Sequence, residues 1–388
     1  MLPPALPVRY LLNPRAEPLS GYGHDQRQIL NLRAHEVAFR HISSWPGYEP
    51  TPLRALPGLA AALGVASLRA KDEGLRLGLG SFKALGGIYG VQRAVLEFLE
   101  PRVDLGALPM EDLSRGRMAP HLEDLTVACA SAGNHGRAVA RGAAMFGCSS
   151  VIFLPVSTSR HRVRAIEALG ARTVPVAGTF DDAVSEAAEV ADRNGWTVVA
   201  DTTFPGYLDP PRHIMQGYTV LAREALEQVP EGELPTHVFL QAGVGGLAAA
   251  VTGHFWEDLG SRRPRVVVVE PSEADGLLEA ALLDQPTPSR GSLQTSMECL
   301  ACRTVSDPAW TILRSGADAF MTISDDTAGE AVELLGKGME GDPPIPTQPS
   351  GAAGLAGVIA AHFEPTLASP LSLGPTSRVL IIVSEGPP

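Results

Sequence analysis

Lysine is almost missing from this chain. Only Lys71, Lys83 and Lys337 occur among 388 residues, although Lys and Arg together number 31. Where charge alone matters Arg serves equally well, so a lysine that remains is a candidate for needing an amine, which Arg cannot supply. For Lys71 and Lys337, survival by chance is an adequate account. Cysteine is sparse too, at four residues, as expected in a reducing cytoplasm. Cys299 and Cys302 form a C-x-x-C pair, but no second pair completes a zinc site. The pair therefore reads as inert and no metal is expected. Positive charge is in deficit: the net charge of −12 argues against nucleic acid or an anionic membrane as partner. No window approaches the ~20 apolar residues of a membrane span. Met1–Leu12 has prolines instead of a basic-then-apolar leader, so no secretory signal is expected. Neither an internal repeat nor a low-complexity segment is seen.

What is present points to a large globular enzyme. Apolar residues make up 45% of the chain, and its length exceeds what one core supports, so two lobes are expected. After an irregular arm with some helix over residues 1–50, Pro52 opens an expected helical stretch, Leu53–Leu63. Strand-like runs follow at Ser67–Ala70, Thr126–Ala130, Val151–Leu154, Arg172–Val176, Thr197–Ala200, Thr236–Gln241, Val266–Glu270, Phe320–Ile323 and Val379–Val383. Helical patterns lie between them: Phe82–Leu99, Asn134–Phe146, Arg160–Leu169, Phe180–Arg193, Pro211–Gln228, Gly246–Leu259, Asp326–Lys337 and Gly351–His362. Short apolar strands alternating with helices predict an α/β protein of two mostly parallel twisted sheets flanked by helices. Glu100–His121 and Leu283–Arg290 read as excursions.

Four segments carry chemistry. In Gly78–Gly87 a glycine-flanked Lys83 opens a helix, where the macrodipole disfavours a cation and so favours a reactive amine. The small residues Ala84, Gly86 and Gly87 would let a flat ring approach. Ser131-Ala132-Gly133-Asn134-His135-Gly136 joins a strand to a helix, and its backbone amides suit a carboxylate; an ordinary capped turn is the plain alternative. Gln241-Ala242-Gly243-Val244-Gly245-Gly246-Leu247-Ala248 is a second strand-to-helix junction, suited to one phosphate or a dinucleotide. Ser384 ends the last strand, where a hydroxyl can face a ligand. A lysine amine, a carboxylate cradle, a phosphate cradle and a neutral hydroxyl are together what pyridoxal phosphate needs.

These segments, in this order, resemble the tryptophan-synthase-β-like, type II fold group of pyridoxal-phosphate enzymes. Within it the chain is most similar to the diaminopropionate ammonia-lyases, through Pro46–Leu53, Lys71–Gly74, Gly133–Arg137, Asp201-Thr202, Ile214–Tyr218, Val269–Pro271, Leu300–Cys302, Ser350–Ala352 and Ser384–Gly386. The resemblance implies that Lys83 carries the cofactor as a Schiff base and that Asn134 bonds the ring hydroxyl. It places the phosphate on Gly243, Val244, Gly245, Gly246 and Leu247, and the ring nitrogen by Ser384. Ser131, Ala132, Gly133, Asn134 and His135 are implied to hold the substrate carboxylate, and Asp201 to be catalytic with Lys83. It also implies a homodimer, with a large cofactor-binding domain of residues 1–90 and 226–388 and a small domain of residues 91–225. The activity implied is α,β-elimination on 2,3-diaminopropionate to pyruvate and ammonia. A serine- or threonine-type dehydratase and a β-replacement enzyme are the alternatives. A non-catalytic ligand sensor and a nicotinamide oxidoreductase are further from the motifs. The lyases usually carry Asp directly before Gly-Asn-His-Gly. Here that residue is Ala132, as in the dehydratases, which favours the L-isomer as substrate. Glu298-Cys299 and Gln348-Pro349 are further departures near the expected site.

Overall fold

The computed structural model describes residues 8–17, 21–203 and 206–387, so the start of the expected arm lies outside it. The strands are β1 (Tyr10–Leu12), β2 (Leu53–Ala55), β3 (Ser67–Asp72), β4 (Thr126–Ala130), β5 (Ser149–Pro155), β6 (Arg172–Val176), β7 (Thr197–Val198), β8 (His237–Gln241), β9 (Arg265–Pro271), β10 (Ala319–Ile323) and β11 (Arg378–Val383). They form two sheets, as the alternation of short apolar strands and helices predicts. One is ordered β1-β10-β9-β8-β11-β3-β2, the other β6-β5-β4-β7. Pairing is parallel except at the edges of the larger sheet, where β1 and β2 run antiparallel to their neighbours. Parallel strands buried on both faces, such as β5, β8, β9 and β10, read as continuous apolar runs, whereas β6 and β7 are half-exposed.

By compactness the chain forms two units: residues 1–32, 50–75 and 221–388, and residues 33–49 and 76–220. This division differs from the expected domain boundaries over residues 33–49, 76–90 and 221–225, and it puts Lys83 in the second unit.

The first unit holds the seven-stranded sheet. Its core is dominated by the helix Pro349–His362, buried from Ser350 to Ala361 and rich in Gly and Ala. Small residues let it lie close on the sheet: a Cβ at Gly354 would stand 3.1 Å from the Phe239 carbonyl. The expected helix Leu53–Leu63 is a correction. Leu53–Ala55 is an edge strand on β3, and the helix is only Pro57–Ala62. The proline that starts it is Pro57 rather than Pro52, because pairing with β3 overrides local preference. The helix Gly276–Leu283, unexpected from the sequence, ends where the Leu283–Arg290 excursion begins.

Lys71 belongs to this unit, and its place corrects the chance reading. It is fully buried, with Nζ 2.7 Å from Glu224 and donating to the Thr51 carbonyl at 2.6 Å and to Gln228 Oε1 at 3.0 Å. Thr51 in turn donates to the buried Glu73.

The second unit holds the four-stranded sheet. The helix Lys83–Leu99 packs on the helix Asn134–Phe146, and a Cβ at Gly87 would stand 2.5 Å from that of Ala138. A Cβ at Gly86 would overlap Tyr218. Gly86 and Gly87 therefore serve close helix packing, not the approach of a ligand ring.

Candidate active site

Lys83 is the first residue of its helix and carries no side-chain cap upstream. Its Nζ is ion-paired with Asp201 Oδ2, both side chains being about one-fifth exposed. Two aromatic rings line the amine: Phe82, 5.4 Å from Nζ to centroid, and Tyr218, 6.0 Å. The helix dipole disfavours the ammonium here, as expected, but the Asp201 carboxylate works against the dipole. Burial pushes the Asp201 carboxyl up, yet the Lys83 charge beside it outweighs burial and holds the group well below the usual carboxylate range. Asp201 is thus an ionised acid beside an amine.

The local chain explains why Asp201 sits there. β7 pairs with β4 over two residues, and Val199 N–H extends the contact to the Ala128 carbonyl at 2.8 Å. Tyr207 then clamps the strand end: its hydroxyl accepts from Ala200 N–H at 2.8 Å and donates to the Val198 carbonyl at 2.9 Å. His135 holds the Val199 carbonyl from the other side, at 2.9 Å. Asp201 is the next residue after this fixed segment.

Ser131–His135 form the β4-to-helix junction as expected. Gly133 is the N-cap, in extended conformation without a side-chain cap, so neither Ser131 nor Asn134 serves as N-cap. A Cβ at Gly136 would overlap the Ser131 carbonyl, so only glycine permits this tight turn. The first-turn amides of the helix Asn134–Phe146 have no intrahelical acceptor and remain available to an anion. The His135 side chain does not line that cradle; it is buried and turned toward Val199 and Asp201, with Nδ1 4.0 Å from Asp201 Oδ2.

In the first unit, β8 ends at Gln241 and the helix Gly246–Leu259 begins after Gly245, whose φ of +98° only glycine adopts easily. A Cβ at Gly243 would stand 2.8 Å from Cys302 Sγ. The loop is anchored on one side by Ser306 N–H donating to the Val244 carbonyl at 3.0 Å. Its helix-start amides, those of Gly246 and Leu247 included, are left for a phosphate. Ser384 directly follows β11 and is 4% exposed. Next to it, Glu385 is also buried, accepting from Cys299 Sγ at 3.4 Å, while Cys299 N–H donates to Ser350 Oγ at 3.1 Å. The C-x-x-C pair is therefore built against the glycine loop and the end of β11. Its spacing in sequence gave no sign of that.

These donors fit pyridoxal phosphate: one accessible amine, a glycine cradle that a Cβ would close, and a neutral buried hydroxyl. The sequence profile of pyridoxal-phosphate dependent enzymes matches residues 44–385. The chain belongs to that family. It is 38% identical over 344 residues to a diaminopropionate ammonia-lyase of Escherichia coli, covering 88% of this chain and 85% of the relative. To the diaminopropionate ammonia-lyase of Salmonella typhimurium it is 36% identical over 388 residues, covering 98% and 95% of the two chains. Its fold is similar to the Escherichia coli enzyme solved with an aminoacrylate-PLP azomethine reaction intermediate. There the TM-score is 0.87 at 34% identity, over 99% of this chain and 94% of that one. The type II fold and the pyridoxal-phosphate cofactor expected for the chain accord with these likenesses. Among the described residues no helix is long and apolar enough to cross a membrane.

Proposed function

We infer that the chain catalyses α,β-elimination on 2,3-diaminopropionate, the L-isomer in preference, releasing pyruvate and two ammonia. Supporting this reading is the Lys83–Asp201 ion pair, an amine and an acid held together in a chain more than one-third identical to enzymes of that name. Pyridoxal phosphate, when bound, supplies an electron sink for the pair left as the α-proton departs. Lys83 would be the amine that holds the cofactor carbonyl and the base that takes the α-proton. Gly243, Val244, Gly245, Gly246 and Leu247 hold the phosphate, Asn134 the ring hydroxyl and Ser384 the ring nitrogen. The amides of Ser131, Ala132, Gly133, Asn134 and His135 orient the substrate carboxylate. Asp201 manages the proton of the leaving ammonia, within the ~10²- to 10⁴-fold range of general acid–base catalysis.

Ala132 has no proton acceptor in its side chain, which supports the preference for one enantiomer. The sparse cysteines support a cytoplasmic setting, and the resemblance a homodimer. A substrate panel tests the reading: L- and D-2,3-diaminopropionate, L-serine and L-threonine, with oxoacid and ammonia counted. We expect one pyruvate and two ammonia from the L-diamine, and the D-isomer turned over at least ~100-fold more slowly, as when one acid–base group is lacking. Faster product from serine or threonine would replace the lyase by a dehydratase.

A further inference from the structure

Two buried polar atoms beside Lys83 lack a hydrogen-bond partner among the described residues: Tyr218 Oη and His135 Nδ1. Tyr218 is 2% exposed and His135 5%. Buried polar groups left unpaired are costly and rare, so each calls for a reason. Both flank the same ion pair. His135 Nδ1 is 4.0 Å from Asp201 Oδ2, and the Tyr218 ring lies 6.0 Å from Lys83 Nζ.

The tautomer of His135 follows from its other nitrogen. Nε2 stands 2.9 Å from the Val199 carbonyl, an atom that can only accept. Nε2 therefore carries the proton, and in the neutral ring Nδ1 presents a lone pair. The Tyr218 hydroxyl oxygen accepts as well, and burial keeps its phenol protonated, against the pull of Lys83. Asp201, His135 and Tyr218 thus offer three acceptors around one point. An ammonium has three N–H donors, whereas a hydroxyl has one.

We propose that Asp201, His135 and Tyr218 form a cage for the β-ammonium of the substrate, and that this cage selects a β-amino over a β-hydroxy amino acid. The Lys83 ammonium shows that the cage accepts such a group, since it is already paired with Asp201. Once the cofactor carbonyl engages Lys83, Asp201 loses that ammonium and the second amine of the substrate replaces it. The inference rests on the roles given above to Lys83 and Asp201 and adds the two residues that define the substrate class.

Substrate analogues bearing a methyl on the α-carbon have no α-proton and cannot be eliminated, so binding is measured without turnover. Calorimetry on the holoenzyme compares 2-methyl-2,3-diaminopropionate with 2-methylserine. Wild type is expected to bind the amine at least ~10-fold more tightly, and Y218F to lower that ratio by about tenfold or more, the size of one hydrogen bond to a charged group. H135F is expected to lower it by a similar factor. Selectivity for the diamine over serine in kcat/KM is expected to fall in parallel. If Y218F does not fold, wild type decides: N-methylating the β-amine removes one donor at a time and must weaken binding stepwise. An N,N-dimethyl analogue as tight as the parent, or a folded Y218F with an unchanged ratio, overturns the cage alone. Pyruvate from serine but none from the diamine overturns the functional reading and the cage together.

Discussion

Lys71 and Lys83 have the same side chain and opposite surroundings. Lys71 is fully buried and its ammonium is matched by Glu224, the Thr51 carbonyl and Gln228. Every contact there stabilises one charge state in one position. Lys83 is about one-fifth exposed, has one carboxylate partner and stands among aromatic faces and two orphaned polar atoms. An amine sealed among matched partners is a structural part; a partly exposed amine ion-paired with a carboxylate can exchange that carboxylate for another group. Scarcity of lysine flagged both, and only the surroundings tell them apart.

The contrast can be broken by substitution. The largest effect is expected from K83A, which should lose more than ~10³-fold in pyruvate release, as for removal of a covalent amine nucleophile. It should also fail to form a borohydride-fixed, cofactor-labelled peptide. An equally labelled K83A would remove Lys83 from its role. K71A should do the reverse, costing about 3–5 kcal/mol of stability because Glu224 is left charged and buried without its partner. Replacing both, as K71M/E224L, should recover most of that loss in urea denaturation, since an apolar pair of similar volume is often no worse.

D201N is the intermediate case. A fall of about 100-fold in kcat is expected, at the low end of what a positioned acid or base contributes. The pair also has a pH signature. The folded Asp201 carboxyl is held below its usual range, chiefly because the Lys83 charge outweighs burial. Its stabilising contribution is therefore present above the unfolded value of about 3.9 and is lost as the pH falls through the lower folded value. Urea midpoints of wild type and D201N should converge below about pH 4; a constant offset would argue that the pair is not linked to ionisation. The smallest effect is expected from G243A, where a Cβ would stand 2.8 Å from Cys302 Sγ. About tenfold weaker cofactor binding is expected, with recovery in G243A/C302A if the sulfur is what obstructs.

Much of this was legible in the chain because it is written contiguously. The nine strands are short apolar runs, and Lys83, the glycine loop and the Ser131–His135 junction each lie in one segment at a strand or helix end. What was illegible depends on distant pairs. Asp201 lies 118 residues from Lys83, and only its likeness to a lyase position drew attention to it. His135 was placed by its backbone in a carboxylate cradle, whereas its ring is turned to Asp201 because Val199 holds Nε2. Tyr218 appeared merely as a member of a matching stretch, and Lys71 as one of three lysines whose survival chance could explain. The signal that would have found Lys71 is its place on β3, a strand paired on both sides by β11 and β2, where a buried cation must be paired. The expected helix over Leu53–Leu63 failed for a related reason: an edge strand of three residues is too short to show a period, and β3 dictates it.

Lysine scarcity has a practical side. Lys71 is sealed in the core, and in the role proposed for it Lys83 would be taken up by the cofactor. Lys337 is the remaining lysine, its side chain 76% exposed and leaning only on Glu333 one helical turn away. Among lysine side chains, an amine-directed dye or tether should therefore react at a single address, on a helix remote in sequence from Lys83 and the glycine loop. The molecule comes ready for attachment to a surface in one defined orientation.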